Sequence, residues 1–235
     1  MANLHTENSA VKRLPCRKTA PVSGVPASGQ SKSPAVFIDR DGTIIHERNY
    51  LRLVKDIRIF PFAIEALALL RSAGFKLVLI TNQSGIGRGY FTEKKLHQIH
   101  HSLQKQLARK KVAFDGVYYC PHHPEANCDC RKPRLGLVKQ AARDLHLSLK
   151  HSFTIGDHVN DFRLGQNMGG KGIFVLTGHG HEEHKKIRSR KEELRPDAVL
   201  KNVLEAARWI IKETTTDPAY QSHTGNRTTR GVETK

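Results

Sequence analysis

The sequence predicts an α/β domain in which a mostly parallel sheet is covered on both faces by helices. Short apolar runs recur along the chain, each bounded by turn or polar residues. Longer segments with apolar residues at helical spacing separate them. Such alternation implies parallel strands joined by helical crossovers. The residues that follow the runs are Asp39 and Asp41, Thr81, the Cys120 cluster and Asp157. In a parallel sheet these strand ends share one edge, where open α/β sheets place their ligands.

The elements follow in order. The leader, residues 1–33, is rich in Ser, Pro, Ala and Gly and is expected to be disordered and basic. Ala35-Val36-Phe37-Ile38 is the first strand, and a loop runs from His46 to Ile59. Pro61 opens a helix that Gly74 closes, with Phe62, Ala66, Leu69 and Leu70 at helical spacing. Lys76 to Ile80 is the second strand, and Asn82 to Gly89 is a loop. Thr92 caps a helix to about Lys111, with Leu96, Ile99, Leu103 and Leu107 as its seam. Phe114 to Tyr119 is the third strand and Leu135 to His146 the next helix. Ser152 to Ile155 is the fourth strand, followed by a short helix from Asp161 to Gln166 and a fifth strand from Gly172 to Leu176. His179-Gly180-His181-Glu182-Glu183-His184 reads as a solvated loop, and Lys185 to Lys191 as a charged helix face. Pro196 to Leu200 is a short edge strand and Val203 to Lys212 the last helix. The domain therefore spans 34–212, with a polar, disordered tail over 213–235.

Composition bounds the function. The 235 residues are 38% hydrophobic and 26% charged, a soluble globular balance. No apolar run approaches the ~20 residues of a membrane span. No secretory segment opens the chain, so a cytoplasmic location is expected. Three of the four cysteines crowd together, a metal pattern that suits a reducing compartment. The net charge of +17 favours anionic partners: nucleic acid, an acidic membrane or phosphorylated metabolites. Aromatic residues make up only 6% and form no stacking platform, which speaks against nucleic acid and against a polynucleotide-end phosphatase.

Two clusters carry chemistry. Asp39 and Asp41 stand two residues apart after a strand, so both side chains can point the same way. Crowded carboxylates repel, and a hard cation relieves them. Asp and Gly also serve as plain turn residues, and the downstream strand ends are what separate the two readings. The second cluster is Cys120-Pro121-His122-His123-Pro124-Glu125-Ala126-Asn127-Cys128-Asp129-Cys130. Cys120, Cys128 and Cys130 with one imidazole, His122 or His123, make a closed tetrahedral zinc set that is structural.

Asp39-Arg40-Asp41-Gly42-Thr43 after an apolar strand resembles the first motif of the haloacid dehalogenase superfamily of phosphatases. Thr81, Lys132 and Gly156-Asp157-His158-Val159-Asn160-Asp161 then match its later motifs in order, over roughly Pro34 to Lys212. The resemblance implies a Rossmann-like three-layer fold with a minimal cap and a zinc-bound loop. It implies that Asp39 is the nucleophile, forming an aspartyl-phosphate, and Asp41 the general acid and base. It places Mg²⁺ at Asp39, the Asp41 backbone carbonyl and Asp157. It assigns Thr81 and Lys132 to the phosphoryl oxygens.

The cysteine loop is similar to that of the branch holding heptose-bisphosphate and histidinol-phosphate phosphatases. By that resemblance the zinc ligands are Cys120, His122, Cys128 and Cys130. Glu47, Arg48, Asn49 and Tyr50, with Thr81, Asn82, Gln83 and Ser84, line the substrate pocket. Arg131 and Lys132 grip phosphate, the planar fork of Arg131 suiting a bidentate contact. The stretches Glu47 to Leu51 and Thr81 to Tyr90 look heptose-like, whereas the His122 to Cys128 spacing is shared with the histidinol enzymes. The expected substrate is a small phosphorylated sugar, handled by a monomer.

Overall fold

The computed structural model describes residues 17–18, 31–189, 195–216 and 220. Most of the leader and the tail therefore lie outside the described residues. Seven strands form one sheet: β1 (Arg17–Lys18), β2 (Ala35–Ile38), β3 (Lys76–Asn82), β4 (Gly116–Cys120), β5 (Phe153–Gly156), β6 (Lys171–Val175) and β7 (Ala198–Leu200). Their order is β1-β4-β3-β2-β5-β6-β7. All neighbours are parallel except β1, which pairs antiparallel with β4 at the edge, Arg17 opposite Tyr119. The first strand in the predicted domain, β2, is central. The chain leaves it towards β3 and β4 on one side and returns to β5 on the other. That reversal opens a crevice at the carboxyl end of β2, where ligands bind in open α/β sheets.

Among the described residues, seven α-helices complete the layers: α1 (Pro61–Ser72), α2 (Ser84–Gly87), α3 (Glu93–Ala108), α4 (Gly136–Leu145), α5 (Val159–Asn167), α6 (Gly180–Ser189) and α7 (Val203–Thr216). The core divides as strand alternation requires. Val36 and Ile38 face a cluster with Leu67, Leu70, Ile99 and Ile210 from α1, α3 and α7. Ala35 and Phe37 face the opposite cluster, with Leu137, Val138 and Leu164 from α4 and α5. Thr92 caps α3 as expected, its hydroxyl accepting from the Lys95 N–H at 3.3 Å.

Three expectations change. The histidine run is not a loop, because α6 begins at Gly180. Glu182 and Glu183 lie in its first turn, where acids favour the helix dipole, and pair with Lys185 and Lys186 at 3.1 and 2.9 Å. The loop after Asn82 contains the one-turn helix α2. The last helix runs past Lys212 to Thr216, and Tyr220 beyond it is buried and stacks on Phe153 with ring centroids 5.7 Å apart. Between β2 and α1 the chain forms only a short turn at Val54–Asp56, so no cap domain is inserted there.

Candidate active site

A cavity of about 310 Å³ opens at the carboxyl ends of β2, β3 and β5. Asp39 follows β2 directly, and its backbone N–H bonds to the Ile155 carbonyl at 2.9 Å, fixing it to β5. Its carboxylate meets the ammonium of Lys132 at 2.5 Å, and that same Nζ lies 2.6 Å from Asp161 Oδ1. Lys132 also donates to the Ile80 carbonyl at 3.0 Å. Its own backbone is held by Asn82: Lys132 N–H donates to Asn82 Oδ1 at 3.0 Å, and Asn82 Nδ2 donates back to the Lys132 carbonyl at 3.4 Å. The side of the site formed by the cysteine loop is thus tied to the end of β3.

Asp157 follows β5 and is buried. Gly42 and Gly178 leave space for its carboxylate, and the His179 N–H donates to Oδ2 at 2.7 Å. Asp161 sits in the first turn of α5 and accepts the His158 N–H at 3.0 Å, closing a capping box. Both Asp161 oxygens are therefore engaged, by Lys132 and by the helix end.

The electrostatics follow from burial. Burial pushes the Asp39 carboxyl up to about 7, against the pull of Lys132 and with the help of Asp161 and Asp41. Burial, then the charges of Asp39 and Asp161, push Asp157 up to about 9, the His179 N–H opposing them. Burial disfavours the Lys132 charge, but Asp161 and Asp39 outweigh it and hold the ammonium well above its ordinary value. Ligand oxygens of Asp39, Asp157 and Asp161 all lie within 4.8 Å of one another. Buried, mutually repelling carboxylates of this kind fit a hard divalent cation.

Asp41 lines the same cavity and is held from a different side. Arg40 contacts both of its oxygens through Nε and NH2, at 2.7 to 3.2 Å. Gln83 Nε2 donates to Asp41 Oδ2 and to Thr81 Oγ1, each at 2.9 Å. Thr81 is buried at the end of β3.

The expected pocket residues Glu47, Asn49, Tyr50, Asn82, Gln83, Ser84 and Arg131 line the same cavity; Arg48 does not, and is exposed. Glu47 Oε1 accepts from the N–H groups of Arg48 and Asn49 at 2.8 and 2.7 Å, which shapes its own loop. Arg131 NH1 is buried without a hydrogen-bond partner in the protein, as a donor awaiting an anion would be. Sequence reasoning did not assign Arg40, His100, Asp161 or His179 to the site. Asp161 carried a signal in its spacing from Asp157. His100 falls on the buried face of α3, one helical turn after Leu96.

The cysteine loop closes beside this cavity. Cys120 Sγ lies 3.5 Å from both His122 Nδ1 and Cys128 Sγ, Cys130 Sγ lies 3.2 Å from His122 Nδ1 and 3.6 Å from Cys128 Sγ. Sulfurs on one tetrahedral zinc, with Zn–S of about 2.3 Å, would be roughly this far apart. Hydrogen bonding from the Cys130 thiol, joined by His122 and Cys128, outweighs burial and brings the Cys120 thiol down to about 5. His123 turns away and accepts the Glu125 N–H at 3.4 Å. The four residues fit zinc by donor type and spacing.

Comparison with known proteins agrees with this geometry. Residues 129–206 match a family model described as HAD-hydrolase-like. The chain is 44% identical over 154 residues to D-glycero-β-D-manno-heptose-1,7-bisphosphate 7-phosphatase of Photorhabdus laumondii, covering 62% of this chain and 81% of that one. It is 39% identical to the enzyme of the same name from Escherichia coli K12, covering 62% and 80%. The crystal structure of the D,D-heptose 1,7-bisphosphate phosphatase from B. bronchiseptica, complexed with magnesium and phosphate, superposes with a TM-score of 0.69 at 27% identity. That match covers 77% of this chain and 99% of that one. No described helix is long and apolar enough to cross a membrane. With an acid-and-lysine site at the sheet edge and relatives at this identity, the chain belongs to the heptose-bisphosphate phosphatase family of HAD-like hydrolases and is a phosphoric monoester hydrolase.

Proposed function

We propose that the protein hydrolyses the 7-phosphate of D-glycero-β-D-manno-heptose 1,7-bisphosphate in the cytoplasm, through an aspartyl-phosphate on Asp39. The observation that carries this reading is the placement of Asp39: buried at the crevice, paired with Lys132 and beside Asp157 in a cavity that is open to solvent. Mg²⁺ would be held by Asp39, the Asp41 backbone carbonyl and Asp157, and Zn²⁺ by Cys120, His122, Cys128 and Cys130. Bound magnesium would offset the repulsion between an attacking carboxylate and a phosphate dianion.

The chain's own groups supply the remainder. Asp39 attacks phosphorus, and the bond to the leaving sugar oxygen breaks. Asp41 enters protonated, gives that oxygen its proton and becomes the carboxylate that faces Arg40; as that carboxylate it takes a proton from the water that attacks the aspartyl-phosphate, which restores its starting form. Phosphate leaves and Asp39 is regenerated. Lys132, Thr81 and Arg131 bind the oxygens that carry the transition-state charge. The wall formed by Glu47, Asn49, Tyr50 and Ser84 faces the sugar. The names of the relatives support the heptose substrate.

The deciding assay is phosphate release from a panel containing the heptose bisphosphate and histidinol phosphate. A large preference in kcat/KM for the heptose bisphosphate is expected, and a preference for histidinol phosphate overturns the substrate. Asp39→Asn should abolish turnover while the fold persists; near-wild-type activity would remove Asp39 as nucleophile.

A further inference from the structure

We propose that Arg40 is a positioning residue that fixes the Asp41 carboxylate for proton transfer, and that the buried His100 of α3 aims Arg40 at it. The inference rests on the reading of Asp41 as the acid and base.

Arg40 lies between the two aspartates, at the bend that follows β2. It is completely buried, the largest fully buried side chain among the described residues. A buried guanidinium needs an opposite charge and satisfied donors. The charge it finds is Asp41 in its carboxylate form, with Nε and NH2 each 2.7 to 3.2 Å from both oxygens. Both nitrogens contact both oxygens, so the guanidinium edge lies across the carboxylate and holds both oxygens in place. The remaining amino group, NH1, lies 3.1 Å from His100 Nε2. A guanidinium has no acceptor, so His100 must accept here as a neutral ring with its proton on Nδ1. Burial first, then the Arg40 charge and His97, hold the His100 pKa well below its ordinary value, which keeps that ring neutral.

The ring is itself fixed. His100 packs edge-on to Tyr119 of β4, with centroids 5.8 Å apart. The Tyr119 hydroxyl donates to Glu93 at 2.8 Å and meets His97 Nε2 at 2.6 Å. A path of defined contacts therefore runs from α3 and β4 through Arg40 to Asp41. Gln83, anchored to Thr81, holds the carboxylate from β3 at a second point. Without a cap domain inserted after β2 to close over the pocket and orient the acid, the core performs that orientation. Proton transfer is sensitive to displacements of about 1 Å, so the clamp is expected to act on the step that needs the proton.

The test compares two leaving groups. An alkyl phosphate that the enzyme turns over needs its alkoxide protonated, whereas p-nitrophenolate leaves without a proton. Arg40→Lys keeps the charge but loses the contact by two nitrogens. His100→Leu removes the acceptor, and His100→Gln restores one; both leave Arg40 in place should Arg40→Lys not fold. For Arg40→Lys and His100→Leu, kcat on the alkyl phosphate should fall about tenfold or more with KM within about twofold, a part of what acid–base catalysis contributes. The p-nitrophenolate burst, which reports phosphoryl transfer to Asp39, should stay within about threefold. His100→Gln should recover most of the loss. A burst that falls in parallel, a KM that rises with the loss, an unchanged kcat, or His100→Gln no better than His100→Leu would overturn the proposal. Asp41→Asn serves as the reference. If it turns over the alkyl phosphate normally, the acid–base reading and the inference fail together; if it is slow while the clamp variants are not, the inference alone fails.

Discussion

Gly42 and Asp157 interlock. A Cβ on Gly42 would lie 2.1 Å from Asp157 Oδ2 and 3.0 Å from the Gly178 Cα, and Gly42 has a φ of +75°. The turn after the first acidic motif is therefore shaped around the carboxylate of a different strand. Gly42→Ala adds a methyl group where the acid sits and about 1–2 kcal/mol of left-handed strain. Displacing Asp157 by about 1 Å should lower kcat by roughly 10²-fold. Phosphate release alongside thermal melting checks this, since a lower melting point with unchanged kcat would mean that Asp157 does not depend on the gap.

Lys132→Met leaves Asp39 and Asp161 buried beside each other without their shared cation. Breaking a buried ion pair from one side typically costs about 3–5 kcal/mol. Relaxation that lets the carboxylates protonate would place the loss at the lower end. Urea unfolding in magnesium-free buffer measures it. Added magnesium should return part of the stability but not the turnover, because the phosphoryl oxygens have lost a donor.

The parallel sheet was legible because β2, β3, β5 and β6 are short apolar runs with abrupt polar ends. Asp39, Asp157 and the cysteine loop were legible because local spacing encodes them. Residues that act through another element were not. Arg40 reads as the intervening residue of a motif, and its contact with His100 spans sixty positions. Asn82 and Gln83 read as substrate contacts and line the cavity; that their amides also bond Lys132, Asp41 and Thr81 was not legible, because those contacts cross between elements. The histidine run misled because its polarity hides a helix whose stability comes from end charges and i,i+3 pairs.

Cys128→Ser should remove zinc and free the loop between β4 and α4. Arg134 donates to the Cys128 carbonyl at 2.9 Å, and the Gly136 N–H to the Asp129 carbonyl at 2.9 Å, so the ligand turn and the start of α4 move together. Metal analysis should find zinc in the wild type and not in the variant. Limited proteolysis should then cut within 121–135, and activity should fall because that loop carries Arg131 and Lys132. Wild-type protein purified without zinc would refute the site.

His100 gives the fold a specific pH dependence. Groups facing it include the Arg40 guanidinium, His97 one turn earlier on α3 and the Tyr119 ring of β4. Its folded pKa lies well below the ordinary 6.5, through burial first and then the charges of Arg40 and His97. An unfolded chain therefore binds a proton near that value that the folded chain refuses. Stability from this residue is full above pH 6.5 and is lost as the pH falls from there towards the folded value. The slope can reach about 1.4 kcal/mol per pH unit for one proton. His100→Gln keeps an acceptor for Arg40 but cannot titrate. Urea unfolding from about pH 7.5 to about pH 5.5 should show the wild type losing more stability than the variant across that range. The difference between the two curves isolates His100 from the carboxylates that both proteins share; parallel curves would mean that the ring titrates in the fold as it does in the unfolded chain, and a wild type that gains on the variant as the pH falls would mean that the ring is protonated in the fold, leaving Arg40 without its acceptor.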